Sequence, residues 1–295
     1  MKDIIYSIII PNKNSANLLA RCIDSIPARE DIQIIVVDDN SDPSQIDFSS
    51  YPGHERSNVE IILTKEGLGA GYARNRGLEK AKGKWVLFAD SDDFYNYGAF
   101  DELDIYSNSN ADIVFFDVTS VDTITYEKSN RDKLYGTYIK KFLNGEDPNA
   151  ELIRFKKWEP WFKMFKRSFV INSGIKFDQI PRCNDMSFCL EASLLAKSFE
   201  AIDKKLYCVT MNQNSITKKK MTKESFWNSM LCEIKKNHIY TIINHKDWHT
   251  SYSYILLCIL KNNGIRDFFS FCSLLWERRS EISLYKQNLK CKFKI

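Results

Sequence analysis

Two short acidic runs are the residues of this 295-residue chain best suited to chemistry. Asp38-Asp39-Asn40-Ser41-Asp42 and Asp90-Ser91-Asp92-Asp93 each follow an apolar stretch, residues 32–37 (IQIIVV) and 85–89 (WVLFA). Carboxylates gathered at one edge repel one another unless a cation or hydrogen-bond donors compensate them. One run alone could simply cap the next helix, where Asp and Ser are favoured. Two on the same edge, with a glycine-rich turn between them, point instead to a cation or ligand site. That turn, Gly67 through Gly69 and Gly71 to Arg74 and Asn75, permits close backbone approach and opens a helix whose N–H groups can face phosphate. The full G-x-G-x-x-G pattern and a later ribose-binding acid are missing, so the turn is weak evidence for a dinucleotide.

The elements that must position these residues alternate along the first hundred positions. Residues 6–10 (YSIII) read as a buried strand closed by Pro11. Leu18, Leu19, Cys22, Ile23 and Ile26 then fall at helical spacing before Pro27. Residues 32–37, 59–63, 85–89 and 113–116 are further strand-like runs, and 70–82 reads as a helix closed at Gly83. Near-continuous apolar strands separated by amphipathic helices predict an α/β fold: a mostly parallel, Rossmann-like sheet with helices on both faces. Such sheets bind ligands beyond the carboxyl ends of their strands, which is where both acidic runs fall. Residues 126–150 are polar and turn-rich and predict a loop or helical insertion over the site. Residues 151–203 hold Trp158, Trp161 and a helix-like segment at 186–197. Residues 218–295 read as a basic, aromatic-rich helical tail.

Composition narrows the classes further. Hydrophobic residues at 44% and charged residues at 27% are ordinary for a globular chain with a sizeable core. The net charge of +4 is unevenly placed: 1–125 carries −10, 126–203 carries +3 and 204–295 carries +11. An acidic front and a basic tail suit a cation site in one part and an anionic surface under the other. The eight cysteines include no C-x-x-C pair, which speaks against zinc, and sit mostly among apolar neighbours like reduced thiols. Neither a signal-peptide pattern nor an apolar run near 20 residues is seen, so the expected location is the cytoplasm, with peripheral contact at the inner face of a membrane as an option. No nucleic-acid module accompanies the basic tail. Its Phe268, Phe269, Phe271, Leu274, Leu275 and Trp276 beside Arg278 and Arg279 could form an amphipathic surface for anionic lipid.

Several ordered strings carry a family resemblance. SIIIPNKN at 7–14, IVVDDNSD at 35–42, GYARNRGL at 71–78 and FADSDD at 88–93 resemble family 2 glycosyltransferases of the GT-A fold. The similarity continues through WFKMFKRSF at 161–169, NDMSF at 184–188 and NSIT at 214–217, and so covers about residues 4–217. The resemblance implies a catalytic, nucleotide-sugar-binding domain over 1–217, with the acceptor part from about 126, followed by the tail. It implies a divalent metal, Mn²⁺ or Mg²⁺, to offset the diphosphate leaving group. Asp92 is then the expected metal ligand, with Asp90 and Asp93 beside it; Asp90 also contacts the donor. Pro11, Asp39, Arg74, Asn75 and Ser91 complete the expected donor site. Lys13 departs from the aromatic residue often found at its position. Asp185 is the expected general base of an inverting transfer, with Asn184 standing where relatives usually have Glu. Its reading from the residues alone is the N-cap of the next helix. Trp161, Lys163 and Arg182 are expected on the acceptor side.

The implied partners are a nucleotide-sugar donor, with UDP the expected nucleotide, and a glycan acceptor, lipid-linked as in bacterial surface polysaccharide synthesis, with no nucleic acid. The processive signature Q-x-x-R-W is absent, which favours transfer of one sugar. Two other readings stay open from sequence. A sugar-1-phosphate nucleotidyltransferase would share sheet, nucleotide and metal, but would normally carry a Gly-rich loop where Pro11-Asn12-Lys13-Asn14 stands. A non-catalytic sugar-nucleotide-binding module would explain the Asn184 change as decayed chemistry.

Overall fold

The computed structural model describes residues 3–180, 182–211 and 222–293. The first half runs β1 (Tyr6–Asn12), α1 (Ala16–Asp24), β2 (Ile32–Asp39), β3 (Val59–Thr64), α2 (Ala70–Lys80), β4 (Trp85–Phe88), β5 (Phe94–Tyr95), α3 (Ala99–Ile105) and β6 (Ile113–Asp122). The second half continues with α4 (Tyr135–Leu143), α5 (Glu151–Phe155), β7 (Lys163–Lys166), α6 (Arg167–Ser173), α7 (Met186–Leu195) and β8 (Phe199–Met211). Four helices follow: α8 (Lys223–Ile242), α9 (Tyr252–Asn263), α10 (Ile265–Glu277) and α11 (Arg279–Phe293).

The strands form one sheet in the order β3-β2-β1-β4-β7-β6-β8-β5. The N-terminal part is parallel, β1 pairing with β2 and β4, and β2 with β3. Strand β7 enters antiparallel between β4 and β6, and β6 resumes parallel pairing with β8. Strands β1, β2 and β4 are buried along their whole length, as their runs of β-branched and aromatic residues require. Register decides where the site falls. Asn12 lies opposite Asp38, and Phe88 opposite Ile9, so both acidic runs leave the sheet at the same edge.

Helix α2 packs close to β1 because Gly77 has no side chain. A Cβ there would stand 2.4 Å from Ile9 Cγ2. The main core lies around the sheet, with Phe88 edge-on to Phe165, Phe177 and Phe188. Four of the cysteines, Cys22, Cys189, Cys208 and Cys232, are buried thiols.

The tail is helical as expected, and α8 buries two faces. One face meets α5 and α7 through Cys232, Ile239 and Tyr240 against Phe155, Met186 and Leu190. The other meets α9, α10 and α11 through Phe226, Met230 and Ile234 against Ile259, Phe271 and Leu289. The apolar stripe of the tail is therefore divided rather than one exposed surface. Phe271 stacks on Phe226 at 4.5 Å, and Leu274 and Leu275 pack into the same cluster. Phe269 and Trp276 point outward, 63% and 70% exposed. No helix among the described residues is long and apolar enough to cross a membrane. The NSIT string at 214–217 and the boundary expected at 217/218 lie outside the described residues.

The close approach of α2 to β1 is directly testable. Gly77→Ala should cost roughly 1–3 kcal/mol, because a well-packed contact must open to admit the methyl group. Urea unfolding followed by circular dichroism checks it; an unchanged midpoint would show that the helix is not seated as described.

Candidate active site

The turn after β4 gathers the acids. One ligand atom each from Asp90, Asp92 and Asp93 lies within 4.8 Å of the others. Ser91 sits half-buried between them. Main-chain bonds hold this crowded turn. The Thr210 N–H donates to Asp93 Oδ1 at 2.6 Å, and the Thr210 hydroxyl donates to the Asp92 carbonyl at 2.7 Å. The Arg21 guanidinium donates to the same carbonyl, and the Asp90 N–H donates to the Tyr207 hydroxyl at 2.9 Å. Burial, reinforced by the neighbouring Asp90 charge, raises the Asp92 pKa to about 6. Burial and both neighbours push Asp93 well above the usual carboxylate range. Such a cluster of hard oxygens, under-compensated by the protein itself, fits a divalent cation of the Mg²⁺ or Mn²⁺ type. Asp92 and Asp90 are half-buried and would hold it, while Asp93 is 1% exposed and already bonded to the main chain.

Neighbouring carboxylates at the end of β2 have opposite roles. Asp38 is saturated by the Ser41 N–H and hydroxyl, the Tyr51 hydroxyl at 2.7 Å and the Asn12 amide, so it builds the loop. Asp39 accepts from the Gly69 N–H at 2.9 Å and lies 3.5 Å from the Lys13 ammonium through Oδ2. Its Oδ1 is buried with no partner. An unsatisfied buried acceptor costs about 1–3 kcal/mol, so this oxygen is suited to an arriving N–H donor. It lines a cavity of about 530 Å³ with Pro11, Lys13, Gly69, Gln179 and Asn184. Gly71 makes room for the far wall: a Cβ there would fall 2.0 Å from the Asp178 carbonyl oxygen.

Arg74 connects this cavity to the acids. It is 5% exposed, not a solvated helix charge. One guanidinium nitrogen donates to Asp90 at 2.6 Å and the other to Asn184 Oδ1 at 2.7 Å, over the ring of Phe177. Asn184 thus supplies, without charge, the oxygen that Arg74 needs. Asn75 departs from the expected donor role: its amide donates to the Phe177 carbonyl and accepts from the Phe177 N–H, both at 2.9 Å. It ties α2 to the segment that supports Arg74, and it lines a different cavity with Leu78 and Val170.

Asp185 occupies the position before α7, yet its carboxylate makes no capping bond. Burial raises its pKa; the Arg74 charge opposes that rise, while Glu159 and Asp90 add to it. Two residues expected on the acceptor side lie underneath instead. Lys163 is fully buried, and its ammonium donates to the carbonyls of Lys157 at 3.0 Å and Glu159 at 2.5 Å. Burial lowers its pKa to about 8. Trp161 is 3% exposed, stacks on Tyr207 and lies tilted against Tyr135. Both sit at or beside β7, which has sheet neighbours on either side, so they form the floor rather than an open platform. Arg182 is half-buried in the segment that leads to Asp185. Residues missed from sequence are Tyr207 and Thr210, which reach the acidic turn across 117 positions, and Glu159, which bonds the Tyr135 hydroxyl and keeps one buried oxygen without a partner. No local pattern marks them.

Comparison with known proteins adds an independent finding. The model of the family described as glycosyl transferase family 2 matches residues 7–175, more than half of the chain. The chain belongs to glycosyl transferase family 2. It is 25% identical over 225 residues to the uncharacterized glycosyltransferase YibD of Escherichia coli K12, covering 72% of this chain. It is 28% identical over 223 residues to the uncharacterized glycosyltransferase EpsJ of Bacillus subtilis 168, also covering 72% of this chain. Both matches span 63% of the relative's own length. A poly(ribitol-phosphate) beta-glucosyltransferase of Bacillus spizizenii is 30% identical over 201 residues, which cover 65% of this chain and 30% of that one. Among solved structures, S. aureus TarS 1-349 in complex with UDP-GlcNAc superposes with a TM-score of 0.62 at 18% identity, over 98% of this chain and 91% of that one. The sheet with its helices, including the C-terminal ones, is therefore the GT-A arrangement that the motifs predict. Membership in this family of transferases sets aside the nucleotidyltransferase reading.

The Arg74 bridge generates a clear expectation. Arg74→Lys keeps the charge but cannot reach Asp90 and Asn184 together, since an ammonium lacks the planar fork. Loss of one charge-assisted bond should lower kcat/KM roughly 10–100-fold with the fold retained. Steady-state kinetics beside a melting curve test this; unchanged kinetics would remove Arg74 from the working site.

Proposed function

We propose that this glycosyltransferase moves one sugar from a UDP-sugar to a hydroxyl of a glycan acceptor, with inversion, in the synthesis of a bacterial cell-surface polymer. The observation that carries the proposal is the Arg74 bridge, which ties the acidic turn at Asp90 to Asn184, the residue before Asp185. The unpartnered Asp39 Oδ1 suits the N–H of a uracil-type base, and Pro11 and Lys13 flank it. The UDP-GlcNAc bound to TarS and the polymer named for the Bacillus spizizenii relative support donor and product class. A divalent cation at Asp90 and Asp92 would act as a Lewis acid toward the diphosphate. Asp185 accepts the proton of the acceptor hydroxyl as that oxygen bonds to the anomeric carbon opposite the departing nucleotide. Arg74 and Asp90 fix the donor side, while Lys163 pins the 157–159 segment beneath the acceptor side.

The acceptor is carried by a lipid in this reading, and the enzyme works at the inner face of the plasma membrane. Phe269 and Trp276 face outward from α10, and the Arg279 guanidinium stands 4.3 Å from the centre of the Trp276 ring. Aromatic and cationic groups side by side suit an anionic lipid surface.

Three variants test the proposal. Asp185→Asn should keep the Mn²⁺-dependent thermal shift given by UDP-sugar and lose transfer by a factor of about 100 or more. Retained transfer would end the base assignment. Asp92→Asn should lose the metal dependence of that shift, and a panel of UDP, GDP, dTDP and CDP sugars identifies the donor class. Because the base works deprotonated and burial raises its pKa, kcat/KM should fall as pH drops, starting above the ordinary carboxylate range. A profile flat down to pH 4 would contradict it. Replacing Phe269 and Trp276 together by Ser should release the enzyme from phosphatidylglycerol vesicles; undiminished sedimentation with them would refute membrane contact through α10.

A further inference from the structure

An open cavity between the C-terminal helices is not used by the transfer chemistry. It measures about 560 Å³ and opens between α8, the turn into α9, and α11. His238 and Asn237 line it from α8, His249 and Ser251 from the turn, and Lys286 and Lys290 from α11; no Asp or Glu lines it. Elsewhere in the same bundle lysines are matched with acids. Lys235 and Lys292 pair with Glu191, and Lys236 with Glu233. Neither Lys286 nor Lys290 has a carboxylate partner among the described residues, and the Lys286 ammonium stands 5.8 Å from the Tyr252 ring.

His238 supplies a separate observation. Its Nε2 is shielded from solvent and has no hydrogen-bond partner. Burial and the Lys290 charge hold its pKa below the ordinary histidine value. The buried nitrogen without a partner is a defect in the isolated chain, and two ammonium groups without a carboxylate line the same cavity. An oxyanion there resolves it once the ring turns Nε2 toward the cavity, because a protonated Nε2 then becomes a donor to that anion. Asn237 holds the wall in place, since its amide exchanges two 2.9 Å bonds with the Thr250 main chain. The start of α9 adds to the same potential: Ser251 makes no capping bond there, and the first turn carries no acid.

We propose that this cavity binds phosphate esters, between the His238 imidazole and the Lys286 and Lys290 ammonium groups. A neutral sugar would leave the cations unmatched, whereas a tetrahedral phosphate offers several acceptor oxygens to donors from three sides. Two sources share this chemistry: the phosphodiester backbone of a soluble polymer and the headgroup of a lipid. The proposal rests on the transferase reading only for what the bound phosphate is used for, not for the binding itself.

The test uses the full chain and its four histidines. Nitrogen-15 imidazole spectra are recorded while inorganic phosphate is added in the presence of EDTA, which keeps metal out of the acidic turn. His238 and His249 signals should move and saturate while His54 stays, and Lys286→Ala/Lys290→Ala should weaken the response at least tenfold. Both lysines are exposed, so this variant should keep its melting temperature and its UDP binding. No movement at His238, equal movement at His54, or an undiminished response in the double variant would each overturn the site. A glycerol-phosphate oligomer and phosphatidylglycerol vesicles are then offered as competitors. Displacement by the oligomer assigns a polymer, displacement by vesicles alone assigns a headgroup, and displacement by neither overturns the proposal. Transfer without a phosphate response would refute this site and leave the catalytic reading standing; a phosphate response without transfer would do the reverse.

Discussion

The mutual repulsion of three carboxylates at the end of β4 is the constraint on which the rest of the site depends. Two unit charges about 4 Å apart cost roughly 4 kcal/mol at an effective dielectric constant near 20. Within the turn, only a main-chain bond at Asp92 itself eases that cost. Compensation comes from distant parts of the chain: the Thr210 N–H on β8, the Arg21 guanidinium on α1 and the Arg74 fork on α2. Each can reach only if the sheet is closed on the far side by β8 and the helix is seated on β1 without a Cβ at Gly77. The compensation is also incomplete, because the Asp92 and Asp93 pKa values remain raised. The fold thus delivers a site whose acids are held closer than they would choose, which is the condition for binding a cation strongly.

Arg74 links this local constraint to the segment that carries Asn184 and Asp185. Its position is over-determined: Phe177 lies under the guanidinium, and Asn75, one residue on, is bonded at both ends of its amide to Phe177. The fork therefore cannot drift from Asp90 without straining α2. Its other arm fixes Asn184 and, through the peptide that follows, Asp185. A carboxylate partner at 184 would bring one more negative charge beside Asp185 and Asp90. The Asn keeps the oxygen and omits the charge.

What was legible in the sequence follows from the range of the interactions. The parallel strands, the α2 turn and both acidic runs were readable because β-branched runs, glycines and Asp clusters act over a few residues. Asp39 and Asp38 look alike in sequence and differ only because Tyr51 and Ser41 reach one and not the other. Trp161 and Lys163 were placed on the acceptor side by the family resemblance of the string at 161–169. The antiparallel insertion of β7 between β4 and β6 buries them, and no local pattern announces an insertion of that kind. Tyr207 and Thr210 were invisible for the same reason: their relation to Asp90 and Asp93 exists only once β8 is in the sheet.

The tail shows the limit of reasoning from net charge. Its surplus of +9 over residues 218–295 is easily counted, but part of it is consumed inside the molecule. Glu191 on α7 is 3% exposed and is bonded by Lys235 of α8 and Lys292 of α11. Removing these charges from water offsets much of their attraction, so such a triad adds little net stability. Its contribution is positional. Apolar contacts among Leu190, Cys232 and Ile239 tolerate sliding of one helix along another, whereas an ion pair at a fixed point on each helix does not. Asp185 stands at the first turn of the helix so fixed. The C-terminal helices therefore bear mechanically on the position of Asp185, whatever their outer surface meets, because Lys235 of α8 and Lys292 of α11 hold the Glu191 carboxylate of the same α7.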